Sequence, residues 1–345
     1  MGRYEPRTSE NNKTRQTYEY AIAGDKENQK RVVYENPPLA LERADNIVYD
    51  QKGLARHGST IIEKYSVRAP GIKQLLFPRA TNNLTQIPQG TIIESATPVT
   101  YGDWIGDFIR AMVCCPNFPE PLIIPAFLGT KEYVRRDLER LDVHYLIAEE
   151  PVLIEKASIL RRQLPSYYWG IDEVAAYKSA FDIAPPLPRP GSILYLGRFG
   201  LKSEVVDRTY PSTATARLVK ELGGKVFDTA FASPKAFDKM APFAETIIAD
   251  QGSELFGTMH WRTKNVIELT TDWWHNSSLF VARASGVENY AVIDIDHISI
   301  KALDEKIKYY LDAFGVLRPQ NQTKTEFAET ENAAIEQIQQ IDAAA

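Results

Sequence analysis

The chain has 345 residues, of which 44% are hydrophobic and 25% charged, and its 40 basic and 45 acidic side chains give a net charge of -5. This length corresponds to roughly two domains of about 100–200 residues each, and the hydrophobic fraction excludes a disordered chain. The net charge argues against nucleic acid as the main partner, although a local basic patch can still bind a nucleotide phosphate.

Cysteine and histidine usage argues against a disulfide framework and against a zinc site. Cys114 and Cys115 are adjacent, the five histidines are scattered, and Asp294 and Asp296 alternate along a predicted strand, which favours a structural role for that pair. We therefore expect no metal and no cofactor. The polar start of the chain lacks a signal peptide, and no stretch approaches about 18 consecutive apolar residues, so we expect a cytoplasmic protein without a membrane span. The sequence does not indicate an oligomeric state.

The first half begins with a polar segment and continues with alternating strands and helices. Residues 1–45 have no sustained hydrophobic period and are interpreted as a mobile arm with at most one short ordered piece. Short β-branched runs and helical spacing then predict strands at 46–49, 59–65, 90–95, 121–125 and 143–147, with helices at 103–112 and 131–141. Asp103 is the predicted N-cap of the first of these helices.

A proline-rich connector divides the chain, and the alternation restarts after it. Residues 184–191 contain four prolines, which exclude a helix or a central strand. The pattern beyond predicts strands at 192–197, 225–228, 246–249, 265–269 and 290–295, and helices at 213–222, 234–243, 273–285 and 303–314. Gly223 is expected to close the helix at 213–222 in a left-handed conformation. Residues 316–345 are interpreted as a flexible tail, with a weak partner-binding helix as the alternative.

The fold class that follows is α/β, with an N-terminal α/β domain at 46–187 and a C-terminal Rossmann-like domain at 188–315. Two such domains facing each other form a cleft, and ligands bind there beyond the carboxyl ends of the strands. The dinucleotide fingerprint, the P-loop, the nucleophile elbow and the zinc-protease motif are all absent from the sequence. Candidate site residues must therefore be argued from their position after a strand.

The first group of candidates follows the strand at 192–197. Arg198 ends that strand, and Lys202 and Arg208 lie in the loop beyond it. Cations in this position suit a diphosphate, because a guanidinium binds phosphate oxygens in a bidentate way. The alternative is that these are three solvated surface charges.

The second group follows the strand at 246–249. Gly252 and Ser253 stand at a predicted strand-to-helix turn, where backbone N–H groups form an anion site, and Glu254 can accept a hydrogen bond from a ribose or sugar hydroxyl. Glu268 in the next strand is a weaker candidate for the same role. A purely structural helix cap is the alternative.

The third group comprises carboxylates and aromatic rings of the first half. Asp103 and Asp107 are spaced to share a helix face, where one can act as a general base, or both can merely favour the helix dipole. The rings of Trp104, Tyr168 and Trp169, and of the pair at 273–274, can stack on sugar rings or fill the core. His260 and His275 lie near the predicted cleft without a motif.

These residues fall in an order that resembles glycosyltransferase family 61, also described as capsular polysaccharide biosynthesis proteins. The family has an aromatic-aromatic-His motif followed four residues later by Asp, and residues 101–108 keep that Asp as Asp107 with Asp103 in place of His. Arg198 and Arg208 resemble the two arginines of the family, although Pro211-Ser212 replaces the Asn-Glu that follows. The run from Ala244 to Leu255 is similar to an acidic strand and glycine turn, with Gln251 in place of His.

The resemblance covers about residues 46–300 and implies the GT-B arrangement of two Rossmann-like domains, with the helix at 301–314 packing back toward the first domain. It implies an inverting transferase without a metal, which takes a nucleotide-sugar donor, often a uridine diphosphate sugar, and a glycan or glycoconjugate acceptor. Asp107 is then the base, with Asp103 as the second candidate. The altered family positions leave open a non-catalytic nucleotide- or glycan-binding protein on the same scaffold.

Overall fold

The computed structural model describes residues 16–21, 23–24, 31–36, 39–58, 60–62, 84–95, 101–161, 169–199, 210–229, 239–271 and 276–317. It is an α/β structure with a mixed and a parallel sheet. The strands, in chain order, are β1 (Gln16–Ala21), β2 (Ala23–Gly24), β3 (Arg31–Asn36), β4 (Ala40–Tyr49), β5 (Ala55–His57), β6 (Thr60–Ile61), β7 (Thr85–Ile93), β8 (Leu122–Pro125), β9 (Tyr145–Ala148), β10 (Val152–Arg161), β11 (Arg189–Gly197), β12 (Lys225–Asp228), β13 (Ala244–Asp250), β14 (Asn265–Thr270) and β15 (Asn289–Asp294).

The helices of the described residues cover the sheets and connect their strands. Helix α1 consists of three consecutive segments, Tyr101–Asp103, Trp104–Ile109 with π geometry, and Arg110–Cys114. The others are α2 (Ala126–Gly129), α3 (Glu132–Arg140), α4 (Ile171–Ala180), α5 (Ser212–Glu221), α6 (Ser277–Ser285) and α7 (Ile300–Ala313), with 3₁₀ turns at Ala241–Phe243 and Ser253–His260.

The first sheet has seven strands in the order β6-β5-β4-β10-β7-β8-β9. Its centre is β10, which runs antiparallel to β4 and parallel to β7, so that Ile154 lies between Ile47 and Ile87. All three side chains are buried in the core of the first half. The sequence analysis predicted the strands on both sides of β10 but not β10 itself.

The second sheet is fully parallel along β12-β11-β13-β14-β15, and β2 extends it next to β15. The chain moves outward from β11 to β12 and then returns to the other side of β11 as β13. In open α/β sheets, ligands bind beyond the carboxyl ends of the strands at the point where the strand order reverses. That point lies between Gly197, which ends β11, and Asp250, which ends β13.

An apolar interface joins the two halves. Phe256, Met259 and Val281 belong to the second half, and they are buried in the same core cluster as Val174 and Phe181 of the first half. Helix α4, helix α6 and the 3₁₀ turn at Ser253–His260 therefore pack together. This packing fixes how the two halves are placed relative to each other.

Two expectations change near the ends of the described chain. Helix α7 was expected to pack toward the first domain, but its buried residues Leu303, Ile307 and Leu311 pack in the core of the second sheet. Its apolar face is matched there by Ile293 at the end of β15. Part of the predicted polar arm is also ordered: β1 and β3 pair, β2 joins the second sheet, and β4 begins at Ala40. Residues 318–345 of the predicted tail, residues 59 and 63–65 of the predicted strand at 59–65, and residues 234–238 of the predicted helix at 234–243 lie outside the described residues.

Candidate functional site

A pocket of about 720 Å³ lies where the two halves face each other. It opens beyond the carboxyl ends of β11, β12 and β13, the position that the strand reversal favours for a ligand. Residues of the first half, the connector and the second half line it: Tyr101, Tyr133, Arg136, Arg140, Ile183, Ala184, Pro185, Arg198, Phe227, Thr229, Pro242, Ser253, Glu254, Gly257, His260 and Trp261. Its volume lies within the range of about 300–1,000 Å³ that is typical of small-molecule sites.

One side of the pocket, the strand wall, consists of Arg198, Thr229, Ser253 and Glu254. The guanidinium of Arg198 donates from Nε and Nη2 to the two carboxylate oxygens of Glu254, over 3.2 and 2.9 Å. Arg198 of the first group of candidates and Ser253 and Glu254 of the second group thus meet in one wall.

Buried Asp250 fixes the position of Arg198. Its carboxylate accepts hydrogen bonds from the backbone N–H of Arg198, from Tyr195 Oη and from Ser212 Oγ, over 2.9, 2.8 and 2.7 Å. Burial raises the pKa of Asp250 to about 6, against the opposing effect of the hydrogen bonds from Ser212 and Tyr195. One carboxylate therefore joins the ends of β11 and β13 and the start of α5.

Gly252 is needed for the close approach of the Arg198 and Glu254 side chains. A Cβ atom at this position would overlap the Arg198 guanidinium and the Glu254 carboxylate. The backbone of Gly252 is extended, with φ 175°, so that space and not backbone conformation requires glycine here. The prediction that Gly252 precedes a helical turn is confirmed, although the turn that begins at Ser253 is 3₁₀.

The opposite side, the helix wall, consists of Tyr101, Tyr133, Arg136 and Arg140. The rings of Tyr101 and Tyr133 meet edge to face, with centroids 5.2 Å apart. Arg136 donates from Nε and Nη2 to Asp137, while Arg140 donates to the carbonyl of Phe181 over 2.9 Å and lies 4.9 Å from that ring. Two cations and two aromatic rings of the first half therefore line the same pocket as the strand wall.

His260 contributes an imidazole between the two walls. Its Nε2 lies 2.6 Å from Tyr177 Oη of helix α4, across the interface between the halves. Burial, together with repulsion from Arg140, Arg136 and Lys178, lowers the pKa of His260 to about 4. The ring is therefore neutral at pH 7 and can accept a hydrogen bond or a proton.

The two predicted base residues lie behind the pocket surface. Asp103 and Asp107 are both buried, and Asp107 accepts a hydrogen bond from Ser95 Oγ. Neither is among the residues that line the pocket. The prediction that Asp103 caps a helix is wrong, because helix α1 begins at Tyr101 and Asp103 has helical backbone angles without a capping hydrogen bond. Asp107 lies in the π segment, where the spacing of an ordinary helix does not apply.

Three other nominated side chains are buried in the core instead of at the pocket. Trp104 and Trp169 are fully buried, so neither ring can stack on an acceptor sugar. Trp104 stacks on Phe108 and donates to Asp137. Glu268 is also fully buried, accepts a hydrogen bond from Tyr290 Oη over 2.9 Å, and is not among the residues that line the pocket.

Several nominated residues lie outside the described residues, namely Lys202, Arg208, Tyr168, His275 and the tryptophans at 273 and 274. Within the described part of the chain, no helix is long and apolar enough to cross a membrane. The same part holds no cluster of three His, Cys, Asp or Glu side chains suited to a metal ion. The Asp294 carboxylate accepts from the backbone N–H of Asp296, a local structural contact.

The sequence analysis missed the helix wall. Arg136 and Arg140 are four residues apart in the predicted helix at 131–141, so a pair of arginines on one helix face was the available signal. Comparison with protein-family models and with curated proteins finds no match for this chain.

Proposed function

We propose that this protein is an inverting glycosyltransferase that takes a nucleotide-sugar donor and resembles family 61 in a GT-B arrangement. The observation that carries the proposal is the pocket itself. It lies between two α/β halves, at the reversal of strand order in a parallel sheet, and arginines enter it from both sides.

The strand wall suits the donor. Arg198 places a guanidinium at the end of β11, and Ser253 begins the 3₁₀ turn next to it. A diphosphate bound there meets charge-assisted hydrogen bonds from Arg198, which lines the pocket. A uridine diphosphate sugar is the donor class that we propose.

The reaction is a single displacement. An acceptor hydroxyl gives its proton to a base, its oxygen forms a bond to the anomeric carbon, and the bond from that carbon to the diphosphate oxygen breaks with its electron pair. Attack from the face opposite the diphosphate inverts the anomeric centre. Arg198 offsets the charge that develops on the leaving diphosphate, an electrostatic effect typical of such sites.

Three residues are candidates for the base. Asp107 and Asp103 remain the predictions from the sequence, and His260 is the candidate that the pocket adds. His260 lines the pocket as a neutral imidazole with its Nε2 next to Tyr177 Oη. We expect the correct base to be the one whose loss abolishes transfer while leaving donor binding unchanged.

Two measurements test the proposal. Titration calorimetry with uridine diphosphate is expected to give binding that Arg198→Gln weakens by about tenfold or more, since a charge-assisted pair is lost. Release of uridine diphosphate from a panel of uridine diphosphate sugars is then measured for wild type, Asp107→Asn, Asp103→Asn and His260→Gln. An unchanged dissociation constant in Arg198→Gln would move the donor site elsewhere.

The second candidate function is a non-catalytic nucleotide- or glycan-binding protein. The observation that favours it is the burial of Asp103 and Asp107 behind the pocket lining. Tight binding of uridine diphosphate, without turnover of any donor in the panel in the presence of glycan acceptors, would select this candidate over the transferase.

A further inference from the structure

The helix wall has the chemistry of a binding surface for a charged sugar. Tyr101 and Tyr133 form an edge-to-face pair on the pocket surface, with an interplanar angle of 72°. Aromatic rings at a pocket wall combine apolar surface with a polar edge, which suits the apolar face of a sugar ring. Beside them, Arg136 and Arg140 extend into the same pocket from one face of helix α3.

The positions of both guanidinium groups are fixed by the protein. Arg136 binds buried Asp137 through two hydrogen bonds, and its side chain remains 41% exposed. Arg140 lies over the Phe181 ring and donates one hydrogen bond to the Phe181 carbonyl. A guanidinium has five donors in a rigid plane, so these contacts leave Arg140 with donors for a planar anion.

Arg136 and Arg140 are the charged residues that line this side of the pocket, and the carboxylate of buried Asp137 lies close enough to both to offset part of their charge. The one carboxylate among the lining residues, Glu254, belongs to the strand wall and binds Arg198. Within the described part of the chain, no carboxylate forms an ion pair with Arg140. The pKa of His260 is lowered mainly by burial, and repulsion from Arg140 and Arg136 contributes to the same shift.

We propose that the helix wall binds an acidic acceptor, a glycan whose sugar carries a carboxylate or phosphate group recognised by Arg140 and Arg136. This inference rests on the proposed function, which assigns the donor diphosphate to Arg198 on the strand wall. The two walls belong to different halves of the chain, and the connector at Ile183 to Pro185 lines the pocket between them. The donor diphosphate is thus assigned to Arg198, and the anion of the acceptor to Arg140 and Arg136.

Matched glycans test the proposal on the full chain. Binding of glucuronate-containing oligosaccharides is compared with that of the same oligosaccharides after carboxyl reduction, and a phosphorylated oligosaccharide with its dephosphorylated form is the second arm. All titrations are run with and without saturating uridine diphosphate. We expect the charged member of at least one pair to bind about tenfold tighter or more. The arm that shows the preference identifies the anion.

Arg140→Gln distinguishes the two walls. It is expected to abolish the preference for the charged glycan while changing the dissociation constant of uridine diphosphate by less than about twofold. Arg217→Gln on helix α5, whose side chain is 65% exposed, is the matched control and should change neither. Equal binding of charged and neutral glycans by wild type overturns the proposal, as does a loss of uridine diphosphate affinity in Arg140→Gln equal to that in Arg198→Gln. Absent uridine diphosphate binding in wild type would instead refute the proposed function, and the glycan pairs would still be read without nucleotide.

Discussion

The two walls of the pocket are built in different ways. On the strand wall, Arg198 is held by Glu254 through its side chain and by Asp250 through its backbone. On the helix wall, Arg140 contacts a carbonyl and a ring but no carboxylate of the described residues. The strand wall is therefore preorganised by its own charges, whereas the helix wall retains an excess of positive charge for a ligand. Four predictions test this difference.

Asp250→Ala is expected to have the largest effect. The substitution leaves three donors around the buried carboxylate position, from Tyr195, Arg198 and Ser212, without their acceptor. We expect a loss of about 4 kcal/mol in the free energy of unfolding, because each unsatisfied buried donor costs about 1–3 kcal/mol. Urea denaturation followed by circular dichroism measures it. Asp312→Ala, at an exposed position of helix α7, is the control and should change stability by less than about 0.5 kcal/mol. Equal stability of the two variants would show that Asp250 does not hold the strand wall.

Protonation of His260 makes the free energy of unfolding depend on pH. Its pKa is lowered from 6.5 to about 4 in the folded protein. The folded state therefore binds this proton more weakly than the unfolded state. The contribution is fully present above pH 6.5 and is lost as the pH falls through about 4, by at most about 3 kcal/mol. As the pH falls from 6.5 to about 4, the free energy of unfolding of His260→Gln should therefore decrease less than that of wild type, as measured by urea denaturation.

Asp250 changes the free energy of unfolding with pH in the direction opposite to His260, over nearly the same pH range. Its pKa is raised from 3.8 to about 6, so its contribution is present below pH 3.8 and is lost as the pH rises through about 6. The comparison must therefore be made between variants and not on the wild-type curve alone. His144→Gln, at an exposed histidine, is the control for the replacement of a histidine by glutamine. A stability curve of His260→Gln that runs parallel to that of wild type would contradict the assignment.

Gly252→Ala tests the strand wall by adding one methyl group without changing a charge or a polar group. The added methyl group overlaps the ends of the Arg198 and Glu254 side chains, so these groups must shift, while the extended backbone tolerates alanine. We expect the affinity for uridine diphosphate to fall about tenfold, a change of about 1.4 kcal/mol. Both substitutions act on the Arg198 guanidinium. The double variant with Gly252→Ala and Arg198→Gln should therefore bind uridine diphosphate no more weakly than Arg198→Gln alone. Additive losses in calorimetry would show that Gly252 acts independently of Arg198.

The same contrast explains what the sequence could predict. Strand ends in a parallel sheet are marked by apolar β-branched runs, so the positions of Arg198, Ser253 and Glu254 followed from chain order. The buried network behind them was not predictable, since no local pattern states that Asp250 accepts from Tyr195 and Ser212, which are distant in the chain. Pocket residues on helices leave a weaker signal, because charged residues on a helix face are usually solvated.

Two errors have physical causes in the first half. Strand β10 was missed because Glu155 and Lys156 interrupt its apolar residues, although the strand lies at the centre of its sheet. The shared face predicted for Asp103 and Asp107 assumed ordinary helical spacing, which the π segment at Trp104–Ile109 does not have. Tertiary packing determines both strand β10 and the π segment, and the local hydrophobic periodicity does not reveal either of them.

The smallest expected effect concerns the aromatic pair of the helix wall. Tyr133→Leu removes the edge-to-face contact with Tyr101, which is worth about 1 kcal/mol of stability. The chain offers a close match in Tyr309 and Tyr310 of helix α7, whose centroids also lie 5.2 Å apart, with Tyr309 67% exposed. Tyr309→Leu should therefore cost less stability and leave glycan binding unchanged. If Tyr133 contacts the acceptor ring, Tyr133→Leu weakens the binding of charged and neutral glycans by the same factor, because the ring recognises the sugar and Arg140 its charge. A loss confined to the charged glycan would show instead that Tyr133 only positions the arginines.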